Sequence, residues 1–106
     1  MKANILRHRI VINSKAPPTV EVDTEAMAVY VRFKQAKIAR TESRPVESGS
    51  IAIDFDAAGE VVGLEAIGMT EFDFNVKAIL KIASIEAPHA DLEKARYVAA
   101  RELVGA

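Results

Sequence analysis

The spacing nearest to a known chemistry lies in Asp54–Glu65, DFDAAGEVVGLE. Asp54, Asp56, Gly59 and Glu65 fall at positions one, three, six and twelve of a calcium-binding loop, and the apolar Val61 takes position eight. Such a loop wraps oxygen ligands around a hard cation, but Ala58 stands where the third ligand belongs. A calcium loop also needs a helix on each side, and these flanks alternate in polarity as strands do. The expectation is therefore a hairpin that directs Asp54 and Glu65 along its two arms and binds no metal. Asp54, Asp56 and Gly59 become structural turn residues, the two acids facing solvent and the glycine supplying a positive φ.

Other catalytic materials are sparse. His8 and His89 are far apart and share no metal-ligand spacing, so each reads as an ordinary strand or loop residue. Glu71 and Asp73, like Asp54 and Asp56, could exchange protons as a pair, but closely spaced acids at turns and helix starts are usually solvated or capping. The chain has no cysteine, which removes disulfides, thiol nucleophiles and thiolate metal sites. It also lacks a G-x-S-x-G elbow and a phosphate-cradling glycine loop. No catalytic residue, cofactor or metal is expected, and an enzymatic role is disfavoured though left open.

The elements that would hold these residues are easier to read. Met27, Val29, Val31 and Phe33 recur at every second position, the period of a half-buried strand, with Ala28, Tyr30 and Arg32 on the other face. In Ser50–Asp56, Ile51, Ile53 and Phe55 alternate with polar or small residues. Gly59 then allows a tight turn, and Glu60–Ile67 returns with Val62, Leu64 and Ala66 on one side.

These same residues carry a resemblance. VDTEAMAVYVRF followed by DFDAAGEVVGLEAI, within Val20–Gly68, resembles the small bacterial family catalogued as domain of unknown function 2283. Tyr30, Asp54, Asp56, Gly59, Gly63 and Glu65 fall on its pattern, whereas Val22 replaces a usual tyrosine and Met27 a usual aspartate. The family has no assigned function. Some members are encoded beside small toxin-like partners, so the resemblance implies an antitoxin-like role as one reading.

Outside that segment, Ile5–Ile12 can form a further strand and Asn13–Thr19, with two prolines, a loop. Within that segment, Lys37–Ser43 is polar on both sides and suits an edge strand, followed by a loop over Arg44–Gly49. After Gly68 the period changes: Val76, Ile79, Leu80 and Ala83 make one helical stripe, with Asp73 or Asn75 available as cap and Phe74 as a staple onto Ile79. Asp91–Val104 favours a second, C-terminal helix by composition, with Leu92, Ala95, Ala99 and Leu103 as a narrow stripe that could pack on its own domain or on a second protomer. The expected fold is one α+β domain over residues 1–106: an antiparallel β-meander of about five or six strands under one helix, with a helical C-terminal part at 73–104.

Half of the 106 residues are apolar, enough to bury roughly 65% of the unfolded-chain surface without staples. No apolar run approaches the ~18 residues of a membrane span. Arg7 and Arg9 interrupt what would have to be the apolar part of a signal peptide, so a cytoplasmic location is expected. Residues 1–18 hold Lys2, Arg7, Arg9 and Lys15 without an acid, but no interleaved aromatic or nucleic-acid motif accompanies them, and nucleic-acid binding is disfavoured. The remaining surface candidates are Tyr30, Arg32 and Arg40, residue types enriched at binding hot spots, although a strand tyrosine also serves cross-strand packing. The expected function is a non-enzymatic protein-interaction module, antitoxin-like, that binds a protein partner or itself as a homodimer. The alternative is a small-ligand binder or enzyme with a pocket between the sheet and the C-terminal helix.

Overall fold

The computed structural model describes residues 10–46, 49–68 and 75–99. Its strands are β1 (Ile10–Val11), β2 (Thr19–Asp23), β3 (Ala28–Arg32), β4 (Arg40–Val46), β5 (Gly49–Phe55), β6 (Val61–Ile67), β7 (Ile85–Glu86) and β8 (Arg96–Ala99), with one α-helix, α1 (Val76–Ala83). Six strands form one sheet in the order β4-β5-β6-β3-β2-β8, antiparallel throughout except for the parallel pair β2–β8. β1 and β7 form a separate two-stranded parallel pair.

The fold is α+β as expected, but the sheet is not a simple meander. β3 pairs with β6 and not with β4, so the chain crosses over after β3 and returns as β4-β5-β6, the order of a Greek key. Polarity explains the arrangement. β6 buries Val61, Val62, Leu64 and Ala66 and belongs in the middle, whereas β4 carries Arg40, Glu42, Arg44 and the donor-less Pro45 and can tolerate an edge. β4 runs on through Val46, so Arg44–Val46, expected in a loop, extends the strand. β2 begins where the expected loop ends and pairs with β3 through a turn that alternation alone does not mark.

That turn also displaces one core residue. Asp23 Oδ1 accepts from the backbone N–H groups of Glu25 and Ala26, and the chain closes with Met27 in a left-handed conformation, φ +50°. Met27 is consequently exposed, whereas Val29, Val31 and Phe33 enter the core as their spacing requires.

α1 covers the inner face of the sheet. Its buried residues are the four of the sequence stripe, Val76, Ile79, Leu80 and Ala83, and they join Val20, Val29, Val31, Ile51, Ile53 and Leu64 in one apolar cluster. Asn75 caps the start by accepting from the Lys77 and Ala78 N–H groups. At the other end Ser84 adopts φ +61° and returns its N–H to the last turn, while Arg44 donates to the Ala83 carbonyl at 3.1 Å. Phe74 and Asp73 lie outside the described residues.

The C-terminal helix expected at 91–104 is not formed over the described residues. Leu92–Lys94 make one 3₁₀ turn, and Arg96–Ala99 extend as β8 along β2. A stripe containing two alanines offered a helix little area to bury, whereas Tyr97 and Val98 favour a strand and find an open sheet edge. This segment packs on its own domain: the Tyr97 hydroxyl accepts the Val76 N–H at 3.1 Å, and Lys77 pairs with Glu93 at 2.6 Å. Positions 100–104 lie outside the described residues.

Ile79 is fully buried beneath the sheet. Ile79→Ala is therefore expected to lower unfolding free energy by about 2–5 kcal/mol, read from the midpoint shift of urea unfolding.

Candidate functional site

On the outer face of the sheet, away from α1, the register builds three rows of side chains, the third being Pro45, Ser50, Ile67, Ala28 and Asp23 on β4 to β2. From β4 to β8 the first is Thr41, Asp54, Gly63, Arg32, Thr19 and Arg96. The second is Ser43, Ala52, Glu65, Tyr30, Glu21 and Val98. Apolar residues of α1, β1, β7 and the segment from Ala87 to Ala95 all pack with the core cluster of the inner face. Among the described residues, the outer face carries no second layer.

Tyr30 ties this face together. Its hydroxyl donates to Asp54 Oδ2 at 2.8 Å across the intervening strand β6, and the other carboxylate oxygen accepts from the Thr41 hydroxyl at 2.6 Å. The ring can cross β6 because Gly63 lies beneath it. A Cβ at Gly63 would stand 2.6 Å from Tyr30 Cε2 and 2.5 Å from the Val31 carbonyl oxygen, closer than atoms pack. Arg32 lies 4.9 Å from the Tyr30 ring centroid and donates through Nε to Glu21 Oε2 at 3.1 Å. Burial, and then the bond to anionic Asp54, push the Tyr30 phenol well above its ordinary range. At neutral pH Tyr30 is therefore a fixed hydrogen-bond donor and not a base or nucleophile.

A second cluster surrounds the β5–β6 turn. Asp56 Oδ1 accepts from the Ala58 and Glu60 N–H groups, and Oδ2 receives Lys34 Nζ at 2.7 Å. Gly59 sits at φ +84° and donates to the Asp56 carbonyl. Lys34 reaches Glu60 as well, at 3.2 Å. The Lys34 ammonium foremost, then the turn amides, hold the Asp56 carboxyl below its ordinary range. Asp54 and Asp56 are thus engaged and partly buried, not the solvent-facing acids of the sequence reading. The segment Asp54–Glu65 is a hairpin, and the oxygens that would serve a cation at Asp54 and Asp56 are bound to hydroxyl, amide and ammonium groups.

Of the three sequence candidates, Tyr30 and Arg32 come together, and Arg40 does not. Arg40 is in register with Phe55 on the inner-face side of β4, 4.0 Å from that ring's centroid and 3.7 Å from Glu42. Thr41, Gly63, Glu21 and Glu65 share the outer face with Tyr30 and Arg32 without having been singled out for it. Gly63 and Glu65 carried a signal, since both lie on the pattern behind the family resemblance. His89 is exposed in a turn; His8, Glu71 and Asp73 lie outside the described residues.

The concave feature nearest to the alternative reading is a cleft of about 530 Å³ between the β2–β3 turn and β8, lined by Asp23, Glu25, Tyr97 and Val98 among others. It does not include Tyr30, and one oxygen of Asp23 holds the turn. Among the described residues, no group of three or more histidines and carboxylates is arranged to hold a metal.

The class defined by these features is a small α+β domain with one helix-covered and one polar, hydrogen-bonded sheet face. A family model described as "Protein of unknown function (DUF2283)" matches residues 19–69, and over that segment the chain resembles this family. The matched segment runs from the start of β2 just past β6 and contains every residue of the Tyr30 and Asp56 clusters. No curated protein and no solved structure matches the chain.

Two expectations follow. The folded state binds a proton at Asp56 less tightly than the unfolded chain, so this stabilisation is present above the ordinary carboxyl value of 3.8 and is lost as pH falls through the lowered one. Thermal unfolding should show Asp56→Asn less stable than the parent near pH 7, with the gap closing below about pH 3. In a Tyr97→Phe background, ultraviolet titration should find Tyr30 ionising only well above the ordinary phenol value of 10.0, and Asp54→Asn should bring it down.

Proposed function

We propose that this chain is a non-enzymatic protein-interaction module of bacterial, cytoplasmic origin, antitoxin-like in that it acts by binding a protein chain. The contact surface in this reading is the outer sheet face centred on Tyr30 and Arg32. The observation that supports it is the hydrogen-bonded arrangement of that face, which no second layer covers among the described residues: its aromatic and guanidinium groups are held in place before any partner arrives, so little side-chain freedom is lost on association. The Tyr30 phenol, held protonated as a donor, suits recognition better than turnover. Arg40, on the other side of the sheet, drops out of the contact surface.

The reading of a small-ligand binder or enzyme draws on the cleft beside β8. Support for it is weaker, because that cleft gathers two carboxylates and a half-exposed phenol, and Asp23 and Tyr97 both have structural tasks.

The test is affinity capture with tagged protein from host lysate supplemented with untagged chain, at low and high salt, comparing the parent with Tyr30→Ala/Arg32→Ala. The double variant should remain folded by circular dichroism and retain at least about tenfold less of any stoichiometric protein. Equal retention by parent and variant would remove the face from the proposal.

A further inference from the structure

β8 fills the edge of β2 with few contacts that depend on its own side chains. The parallel pairing joins Thr19–Val22 to Arg96–Ala99, and it opens with the Arg96 N–H donating to the Pro18 carbonyl at 3.0 Å. Backbone bonds of this kind are open to any extended chain, and parallel pairing is slightly the weaker kind per residue. No residue of β8 is buried: Arg96, Tyr97 and Ala99 are exposed, Tyr97 by 48%, and Val98 is half-buried. None of the four joins the apolar cluster. What a side chain adds is the Tyr97 hydroxyl, which accepts the Val76 N–H.

β2 is anchored independently of β8. On its other side all five of its residues pair with β3, and Val20 is fully buried in the core. The segment matched to the family, 19–69, holds β2 to β6 and has the β2 edge as its border, so the strand that covers this edge comes from outside the match. A firmly seated strand therefore offers one side of its backbone to a loosely seated one, which is the condition for strand addition by exchange.

We infer that β8 is an exchangeable strand and that the β2 edge is a binding site for an extended segment of a partner protein, which pairs parallel to β2 in the place of β8. The site is the border of the sheet and not its outer face, so the inference does not rest on the reading of Tyr30 and Arg32. The register specifies the segment: a tyrosine at the Tyr97 position, a small residue at the Ala99 position, and between them a residue beside Glu21, where β8 has Val98. Glu21 gives Oε2 to Arg32, and a lysine or arginine in the incoming segment adds a cross-strand pair with the other oxygen that Val98 does not make. The tethered strand holds the edge against poor competitors and yields it to one that carries this charge.

The probe is a fluorescein-labelled peptide of the sequence Asp91–Ala99, unmodified or carrying Val98→Lys, with binding to the full chain read by fluorescence anisotropy. Because it competes with a tethered strand, half-saturation of the parent should fall on the order of mM, a few fold lower for the lysine peptide. Tyr97→Ala in the protein should keep the fold by circular dichroism and lower the midpoint roughly fivefold or more, since it loosens β8 and leaves β2 intact. The chain has no cysteine, so Thr19→Cys/Arg96→Cys places a single disulfide across paired residues; its oxidised form should lose the peptide and reduction should restore binding. Absence of binding to both parent and Tyr97→Ala up to about 5 mM, equal binding of the two peptides, or an oxidised pair that binds as well as the reduced one overturns the inference. So does an oxidised pair that joins two chains on a non-reducing gel, because the occupant of the edge is then β8 of a second copy.

Discussion

Pairing β3 with β6 at the centre of the sheet obliges the chain between them to travel outward and return. The seven residues after β3 carry it past the positions of β6 and β5 to the far edge, and the β4-β5-β6 run then brings it back. This places the most apolar strand where both of its neighbours and α1 can bury it, and the most polar strand where one side of its backbone faces solvent. The helix position follows, since its stripe has one apolar face to cover. Even the helix end depends on the arrangement: Arg44 can reach the Ala83 carbonyl because β4 lies at that edge.

The two faces of the sheet are stabilised by different physics. The inner face is a dispersion-packed cluster with no buried polar or charged residue among those described. The outer face is joined by directional bonds that cross strands diagonally, from Tyr30 over Gly63 to Asp54 and on to Thr41. Such bonds each add modestly to stability, but they fix side-chain positions on a surface that would otherwise be mobile. A surface ordered by its own hydrogen bonds is a rigid template, which distinguishes it from the clefts at the sheet margins.

Sequence reasoning succeeded where a single period dominates. Alternation located Val29, Val31, Ile51, Ile53 and Leu64, the change of period after Gly68 located α1 to the residue on its buried stripe, and Gly59 marked the hairpin turn. It failed where tertiary context decides between alternatives of similar local energy. Arg96–Ala99 sits in a window of helix-forming composition, yet the unpaired edge of β2 draws it into a strand. Met27 fits the alternation but lies in the turn, one residue before the strand. Strand order was not legible, because period-2 patterns say which residues face inward and nothing about which strand is the neighbour. Of the candidate residues, Tyr30 and Arg32 could be chosen by residue type and share one face, whereas Gly63 acquires its place only when Tyr30 crosses above it, and Arg40 changes sides once its register with Phe55 is known.

The parallel pairing of β8 with β2 has a temporal consequence. Thr19 and Arg96 are partners across 77 positions (96 − 19) of the chain, and closing so long a loop is entropically among the costlier steps of folding. The hairpins β2–β3 and β4-β5-β6 join nearer neighbours and can assemble earlier. During synthesis α1 therefore emerges before Tyr97, the residue that accepts its first N–H, so the helix is completed at its start when the last described strand arrives to close the sheet edge.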